Sequence, residues 1–180
     1  MPVRPRSKGK YYLSSHATAR SVMQWWIDAK MWESYFKFCF IRNPFDVAIS
    51  RYWWERSQSS SIPHDINVFV KNASCPCCEK SHILKPNDTH SWSGNWEIYG
   101  QNNGTVLMDF VGRYETLQYN LRQVAEILNL GKIDPPDAKR QHREDHRHYS
   151  CVLNAESRAK IEKSCKWELE PMGYKWEPQQ

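Results

Sequence analysis

The sequence predicts an α/β domain built on a parallel sheet, and three observations carry this prediction. A strand-like run from Phe36 to Ile41 leads directly into a helix start at Asn43. Other segments space their apolar residues as helices do, so strands and helices alternate along the chain. The 180 residues are 40% hydrophobic and 13% aromatic, which is enough to bury one substantial core. We therefore expect a single domain over residues 1–180.

The first predicted helix runs from Thr18 to Lys30. Its apolar residues recur at the i, i+3, i+4 and i+7 positions of one helical face: Val22, Trp25, Trp26 and Ala29. This spacing predicts an amphipathic helix whose tryptophans pack inward.

The run that follows predicts a short strand joined to a helix by a sharp turn. Phenylalanines recur at period two, and apolar residues fill the alternate positions, which is typical of a strand covered on both faces. Asn43 then offers a helix N-cap, Pro44 a favourable first position and Asp46 an acidic third position. These signals agree on one helix start, and we expect the helix to extend to about Ser57.

The remaining elements follow from caps, turns and spacing. We expect a loop over 58–63, a short helix from a cap at Asp65, and an irregular insertion over about 73–95. The residue pair Asn103-Gly104 predicts a hairpin between strands at 97–100 and 105–108. A helix over 116–129 should end at Gly131, and Asn154 should cap a terminal helix. The apolar stripe of that terminal helix is Ile161, Cys165, Leu169 and Met172.

Arg42 and Ser50 stand out as a candidate anion site. Arg42 lies at the carboxyl end of the predicted strand, beside the free N–H groups of a helix start, where open α/β sheets bind anionic ligands. Ser50 lies about two turns along that helix, so its hydroxyl and the arginine can bind one phosphate together. The alternative is a helix-start arginine paired with Asp46.

The residue pattern strand-Arg42-Asn-Pro-x-Asp-x-x-x-Ser50-x-Tyr resembles the 3′-phosphate-binding motif of sulfotransferases that use 3′-phosphoadenosine 5′-phosphosulfate. Further blocks match the order of elements in the carbohydrate and bacterial branches of that family from about Tyr11 onward. These blocks are His16-Ala-Thr-Ala, Trp32-x-x-Tyr-Phe-Lys-Phe, Asp109-Phe-Val-Gly-Arg-Tyr-Glu-Thr-Leu117, Arg147-x-Tyr149 and Gly173-Tyr174. The resemblance implies a P-loop-NTPase-like three-layer fold and assigns Arg42 and Ser50 to the 3′-phosphate.

One departure from the family pattern concerns the start of the chain. These enzymes open with a strand and a lysine- and glycine-containing loop that holds the 5′-phosphosulfate, and residues 1–10 offer no such segment. We therefore expect a domain that lacks its first βα unit. It is then a fragment of a longer protein, a chain whose start was placed late, or a divergent member without the chemistry.

The resemblance also suggests further site residues. His16 occupies a position similar to that of the family's catalytic histidine, and an imidazole suits the removal of an acceptor proton. Its alternative is a histidine that only hydrogen-bonds backbone. Arg147 and Tyr149 precede the terminal helix, where the family's loop folds over the nucleotide, and their alternative is a solvated basic loop. Asp109 is interpreted as a structural carboxylate.

The composition and the charge distribution limit the kinds of binding partner that this chain is expected to have. The net charge of +5 gathers in two patches, over 3–10 and 139–148, which suits an anionic cofactor or acidic polysaccharide. No nucleic-acid motif and no apolar run of membrane-spanning length occur. Cys75, Cys77 and Cys78 are closely spaced, but the spacing is poor for zinc, so we expect thiol or disulfide chemistry and no metal. Three glycosylation sequons slightly favour the secretory pathway, and the Golgi and the cytoplasm both remain open as compartments.

These observations are consistent with two functions, one catalytic and one restricted to binding. The first is an enzyme that transfers a sulfuryl group from 3′-phosphoadenosine 5′-phosphosulfate, its co-substrate, to a hydroxyl of a carbohydrate acceptor. The second is a non-catalytic module that keeps only the 3′-phosphate half of the nucleotide site.

Overall fold

The computed structural model describes residues 17–72, 96–101, 104–134 and 142–179. In these ranges the elements are, in chain order, α1 Ala19–Trp25, α2 Ala29–Ser34, β1 Phe38–Ile41, α3 Pro44–Gln58, α4 Ile66–Asn72, α5 Trp96–Tyr99, β2 Phe110–Arg113, a 3-10 turn Tyr114–Thr116, α6 Leu117–Ile127, α7 Tyr149–Val152, α8 Ala155–Ser164 and α9 Lys166–Met172. The predicted insertion at 73–95 lies outside the described residues.

The sheet seen in the described ranges is small and parallel. β1 pairs with β2 in a register that sets Phe38 opposite Phe110 and Ile41 opposite Arg113. Helices α3, α4 and α5 lie between the two strands in the chain, as expected of a parallel crossover. The mixed helix and sheet architecture agrees with the predicted α/β class. Phe38 is 41% exposed, so the strand is not covered on both faces as its sequence predicted.

The predicted start of α3 is confirmed. The Asn43 side chain accepts a hydrogen bond from the Phe45 N–H at 3.0 Å, Pro44 opens the helix, and Asp46 lies in its first turn. Buried side chains on the inner face of α3 fix the helix against the core: Phe45, Ala48, Ile49 and Tyr52.

The C-terminal helices are attached to this core through Asn67 in α4. The Asn67 side-chain oxygen accepts hydrogen bonds from the Asn154 N–H at 2.9 Å and the Ser157 hydroxyl at 2.8 Å. Its amide group donates to the Val152 carbonyl at 3.2 Å. Asn154 also caps α8, as predicted, by accepting from the Ser157 N–H. These bonds hold the end of α7 and the start of α8 against α4.

Two helix predictions need correction. The predicted helix over 18–30 is two helices, because Asp28 caps α2 by accepting from the Met31 N–H at 2.8 Å. Trp25 is 54% exposed, so the prediction that both tryptophans pack inward is wrong for Trp25. Helix α6 ends through Asn129, which has a positive φ of 53°, and not through Gly131.

The predicted hairpin is present only as a turn. Residues 96–99 are helical, and the antiparallel pairing is reduced to one bridge between Gly100 and Val106. The Gln101 N–H donates to the Thr105 carbonyl at 2.9 Å and closes the turn. Trp96 is 1% exposed, and its indole N–H donates to the Gln101 carbonyl, so burial of this side chain favours the helical turn over a strand.

Candidate functional site

Arg42 lies at the carboxyl end of β1, where the chain turns into α3. Its Nε donates to Asp46 Oδ2 at 2.6 Å, and its guanidinium carbon lies 4.6 Å from the centre of the Tyr114 ring. The side chain is 25% exposed. The pairing with Asp46 that the sequence left open is therefore present, and the Tyr114 ring packs against the guanidinium as a cation–π contact.

A second arginine meets the same carboxylate from the loop that precedes α7. Arg143 Nη1 donates to Asp46 Oδ1 at 2.6 Å. Its Nε donates to the Asp145 carbonyl at 2.7 Å, and its Nη2 donates to the Arg147 carbonyl at 3.0 Å. Arg143 is 17% exposed. This side chain therefore joins the 142–148 loop to the first turn of α3.

Sequence reasoning missed Arg143. It lies in the basic run over 139–148, which the sequence did single out, but several cations share that run. The deciding contact joins residues 97 positions apart, and no local pattern reports such a contact.

Arg42, Arg143 and Asp46 together carry one net positive charge. Two guanidinium groups share one carboxylate, next to the N-terminus of the 15-residue helix α3. Ser50 is half-buried and lies one helical turn beyond Asp46. Its hydroxyl makes no hydrogen bond within the described part of the chain. The N–H groups of Asn43 and Phe45 at the start of α3 already have partners within the chain. The two partly exposed guanidinium groups and the Ser50 hydroxyl are therefore the groups that a phosphate-sized anion would contact here.

Comparison with known families identifies the chain. The sulfotransferase family model matches residues 4–174. The chain belongs to the sulfotransferase family. This membership supports sulfuryl transfer in general and an enzyme as the class of protein. No curated protein and no solved structure matches the chain.

Arg147 contacts this cluster through its backbone. Its carbonyl accepts from Arg143, while its side chain is 67% exposed and donates to both oxygens of Asp145, at 3.1 Å or less. The side-chain and backbone hydrogen bonds from Arg147 lower the pKa of Asp145 to about 2. Both groups therefore stay charged at neutral pH.

Tyr149 lies in the core, with 5% of its surface exposed. Its ring stacks on Phe45 with 5.2 Å between centres and meets Trp176 edge to face at the same distance. Phe45 belongs to the first turn of α3, so this stacking supports the turn that carries Asp46. The structure therefore gives Tyr149 a packing contact behind the anion site.

The other predicted residues stand apart from the site or outside the described ranges. His16 lies outside the described residues, as do Cys75, Cys77 and Cys78. Asp109 accepts a hydrogen bond from the Lys37 N–H at 2.8 Å and pairs with the Lys37 ammonium at 2.7 Å. These bonds lower the pKa of Asp109, which makes its carboxylate a poor base and agrees with a structural role.

Among residues 17–72, 96–101, 104–134 and 142–179, no group of three or more histidine, cysteine, aspartate or glutamate side chains is arranged to hold a metal ion. Of the helices in those ranges, none combines the length and the apolar character needed to cross a bilayer. Cys39 is a free thiol, and burial raises its pKa to about 12, so it is unsuited to nucleophilic or ligand chemistry at neutral pH.

Proposed function

We propose that this protein transfers a sulfuryl group from 3′-phosphoadenosine 5′-phosphosulfate to a hydroxyl of a carbohydrate acceptor, within a P-loop-NTPase-like three-layer domain. The observation that carries the proposal is the cluster of Arg42, Arg143 and Ser50 around Asp46 at the end of a parallel strand. Family membership supports the reaction class, and this cluster of cations supports a binding site for the donor's 3′-phosphate.

In this proposal each member of the cluster has a separate task. Arg42 and Arg143 neutralise the 3′-phosphate, and Ser50 donates its hydroxyl proton to one phosphate oxygen. Asp46 binds no anion and instead fixes the spacing between the two guanidinium groups. Binding the nucleotide at its 3′ end orients its 5′ end. This orientation lowers the entropy cost of in-line transfer at the 5′ end.

The remaining residues of the proposal act at a distance from the 3′-phosphate. Arg147 holds Arg143 through its carbonyl, and Tyr149 supports the first turn of α3 through Phe45. His16 takes the proton from the acceptor hydroxyl, since an imidazole titrates near neutral pH.

Titration calorimetry with adenosine 3′,5′-bisphosphate and adenosine 5′-monophosphate tests the binding half. We expect the wild type to prefer the bisphosphate, and Arg42→Ala to lose about 2 to 4 kcal/mol of that binding free energy, because a charge-assisted partner is removed. Ser50→Ala should lose about 1 kcal/mol. Arg122→Ala removes an exposed arginine of α6 and is the matched control. Equal affinity of the wild type and Arg42→Ala for the bisphosphate would contradict the assignment.

The catalytic half is tested with radiolabelled donor and a panel of carbohydrate acceptors. We expect transfer by protein that includes the family's 5′-phosphosulfate loop, and in that form His16→Ala should lose at least about two decades in rate, as for removal of a general base. Bisphosphate binding that depends on Arg42, combined with no transfer to any acceptor, would instead favour the non-catalytic binding module.

A further inference from the structure

The N-terminus of α3 shows an unusual division of hydrogen bonds. In a capping box, the side chain at the third helical position reaches back and accepts the N–H of the N-cap residue. Here the N-cap is Asn43 and the third position is Asp46, which has the length and charge to accept that N–H. Asp46 instead bonds Arg42 and Arg143 through both of its oxygens.

The Asn43 N–H is accepted by a residue from a different part of the chain. Glu115, in the turn that follows β2, places Oε1 at 2.7 Å from the Asn43 nitrogen. Its other oxygen accepts from the Tyr174 hydroxyl at 2.8 Å. The Tyr174 ring in turn packs against the Arg113 guanidinium at 4.9 Å, and Arg113 donates to the Met172 carbonyl. The Glu115 carboxylate is therefore held on both sides.

We propose that Glu115 is a positioning residue for the anion site: by accepting the Asn43 N–H, it leaves the Asp46 carboxylate to Arg42 and Arg143. Without Glu115, the Asn43 N–H lacks its partner, and Asp46 occupies the third helical position from which a capping-box carboxylate accepts that N–H. The two guanidinium groups then lose their shared anchor and the spacing that suits one phosphate. This inference rests on the proposed function only where it concerns phosphate affinity, since the exchange of partners needs no ligand.

The neighbouring Tyr114 makes the same segment act on Arg42 from a second direction. Tyr114 packs on the face of the Arg42 guanidinium, while Asp46 holds its edge. Two consecutive residues after β2 thus act on the Arg42–Asp46 pair. Tyr114 stacks on the Arg42 guanidinium, and Glu115 accepts the Asn43 N–H, which leaves the Asp46 carboxylate free to bind the arginines.

A ligand-free measurement tests the inference directly. The Arg42 Nε–H donates to Asp46 in the folded protein, so its nuclear magnetic resonance signal should be protected from exchange with water. We expect Glu115→Ala to abolish that protection and Glu115→Gln to retain it, because the glutamine oxygen can still accept the Asn43 N–H. Unchanged protection in Glu115→Ala would overturn the inference, whether or not the protein binds nucleotide.

Nucleotide binding gives the second readout. We expect Glu115→Ala to bind adenosine 3′,5′-bisphosphate about tenfold more weakly with unchanged affinity for adenosine 5′-monophosphate, and Glu115→Gln to restore most of the difference. Glu126→Ala removes an exposed carboxylate of α6 and should alter neither. If Arg42→Ala lowers bisphosphate affinity and Glu115→Ala does not, the positioning role is wrong while the proposed function stands. If Glu115→Ala does not fold, Glu115→Asp carries both tests, because it keeps the charge but is too short to reach Asn43.

Discussion

Replacing Arg143 by alanine separates the contribution of the 142–148 loop from that of α3. The substitution removes one charge-assisted bond to Asp46 and two bonds to backbone carbonyls, at 2.6, 2.7 and 3.0 Å. The side chain is 17% exposed, so water replaces these bonds only in part. We expect a loss of about 2 to 3 kcal/mol in the free energy of unfolding, most of it from the bond to Asp46.

The same substitution should weaken phosphate binding, since one of two cations is lost. We expect about tenfold weaker binding of adenosine 3′,5′-bisphosphate, which corresponds to about 1.4 kcal/mol. Urea unfolding measures the first effect and titration calorimetry the second.

Arg147→Ala is the matched comparison within the same loop. Its side chain is 67% exposed and, among the described residues, forms its salt bridge with Asp145, so its removal should lower the free energy of unfolding far less than removal of Arg143. The carbonyl that holds Arg143 remains in this variant. If Arg143→Ala is as stable as Arg147→Ala and binds bisphosphate as tightly, the assignment of Arg143 to the site is refuted.

Two further predictions concern acid stability and packing. The pKa of Asp145 is lowered to about 2 by Arg147, so the unfolded chain binds more protons between about pH 2 and pH 4, and stability must fall as the pH is lowered through this window. Asp145→Asn should flatten that slope in urea unfolding measured across the pH series, and an unchanged slope would contradict the pairing. A Cβ on Gly100 would clash with the Trp96 indole, whereas one on Gly131 would meet nothing within 4 Å. Gly100→Ala should therefore lower the melting temperature strongly and Gly131→Ala hardly at all, and equal melting temperatures would refute the packing argument.

The features that sequence predicted correctly are those set by neighbouring residues. The N-caps at Asn43 and Asn154 each depend on a side chain and an N–H two or three positions away, and both are present. The placement of Arg42 at a strand end follows from the same short stretch. Such contacts form within one helical turn, so the pattern of residue types is enough to indicate them.

The features that sequence missed depend on contacts across the fold. Strand β2 has four residues and contains Gly112, and it is a strand because β1 offers it a partner. Nothing near Arg143 in the chain distinguishes it from the other cations of its basic run. Glu115 bonds to Asn43, which lies 72 positions earlier in the chain, and no local pattern around Glu115 indicates that contact. Trp25 occupies an apolar position of the predicted helix. Helix α1 ends at Trp25, and the side chain of this residue is exposed.

The site residues are synthesised at different times, because their contacts join distant positions in the chain. Arg42 and Asp46 lie one turn apart, whereas Glu115 follows Asn43 by 72 positions and Arg143 follows Asp46 by 97. At a synthesis rate of about 5 to 20 residues per second, Asp46 waits roughly 5 to 20 s for Arg143. During that interval Arg42 is the only one of its two arginine partners that has been made. The cluster of two arginines around Asp46 is therefore complete only after Arg143 has been synthesised.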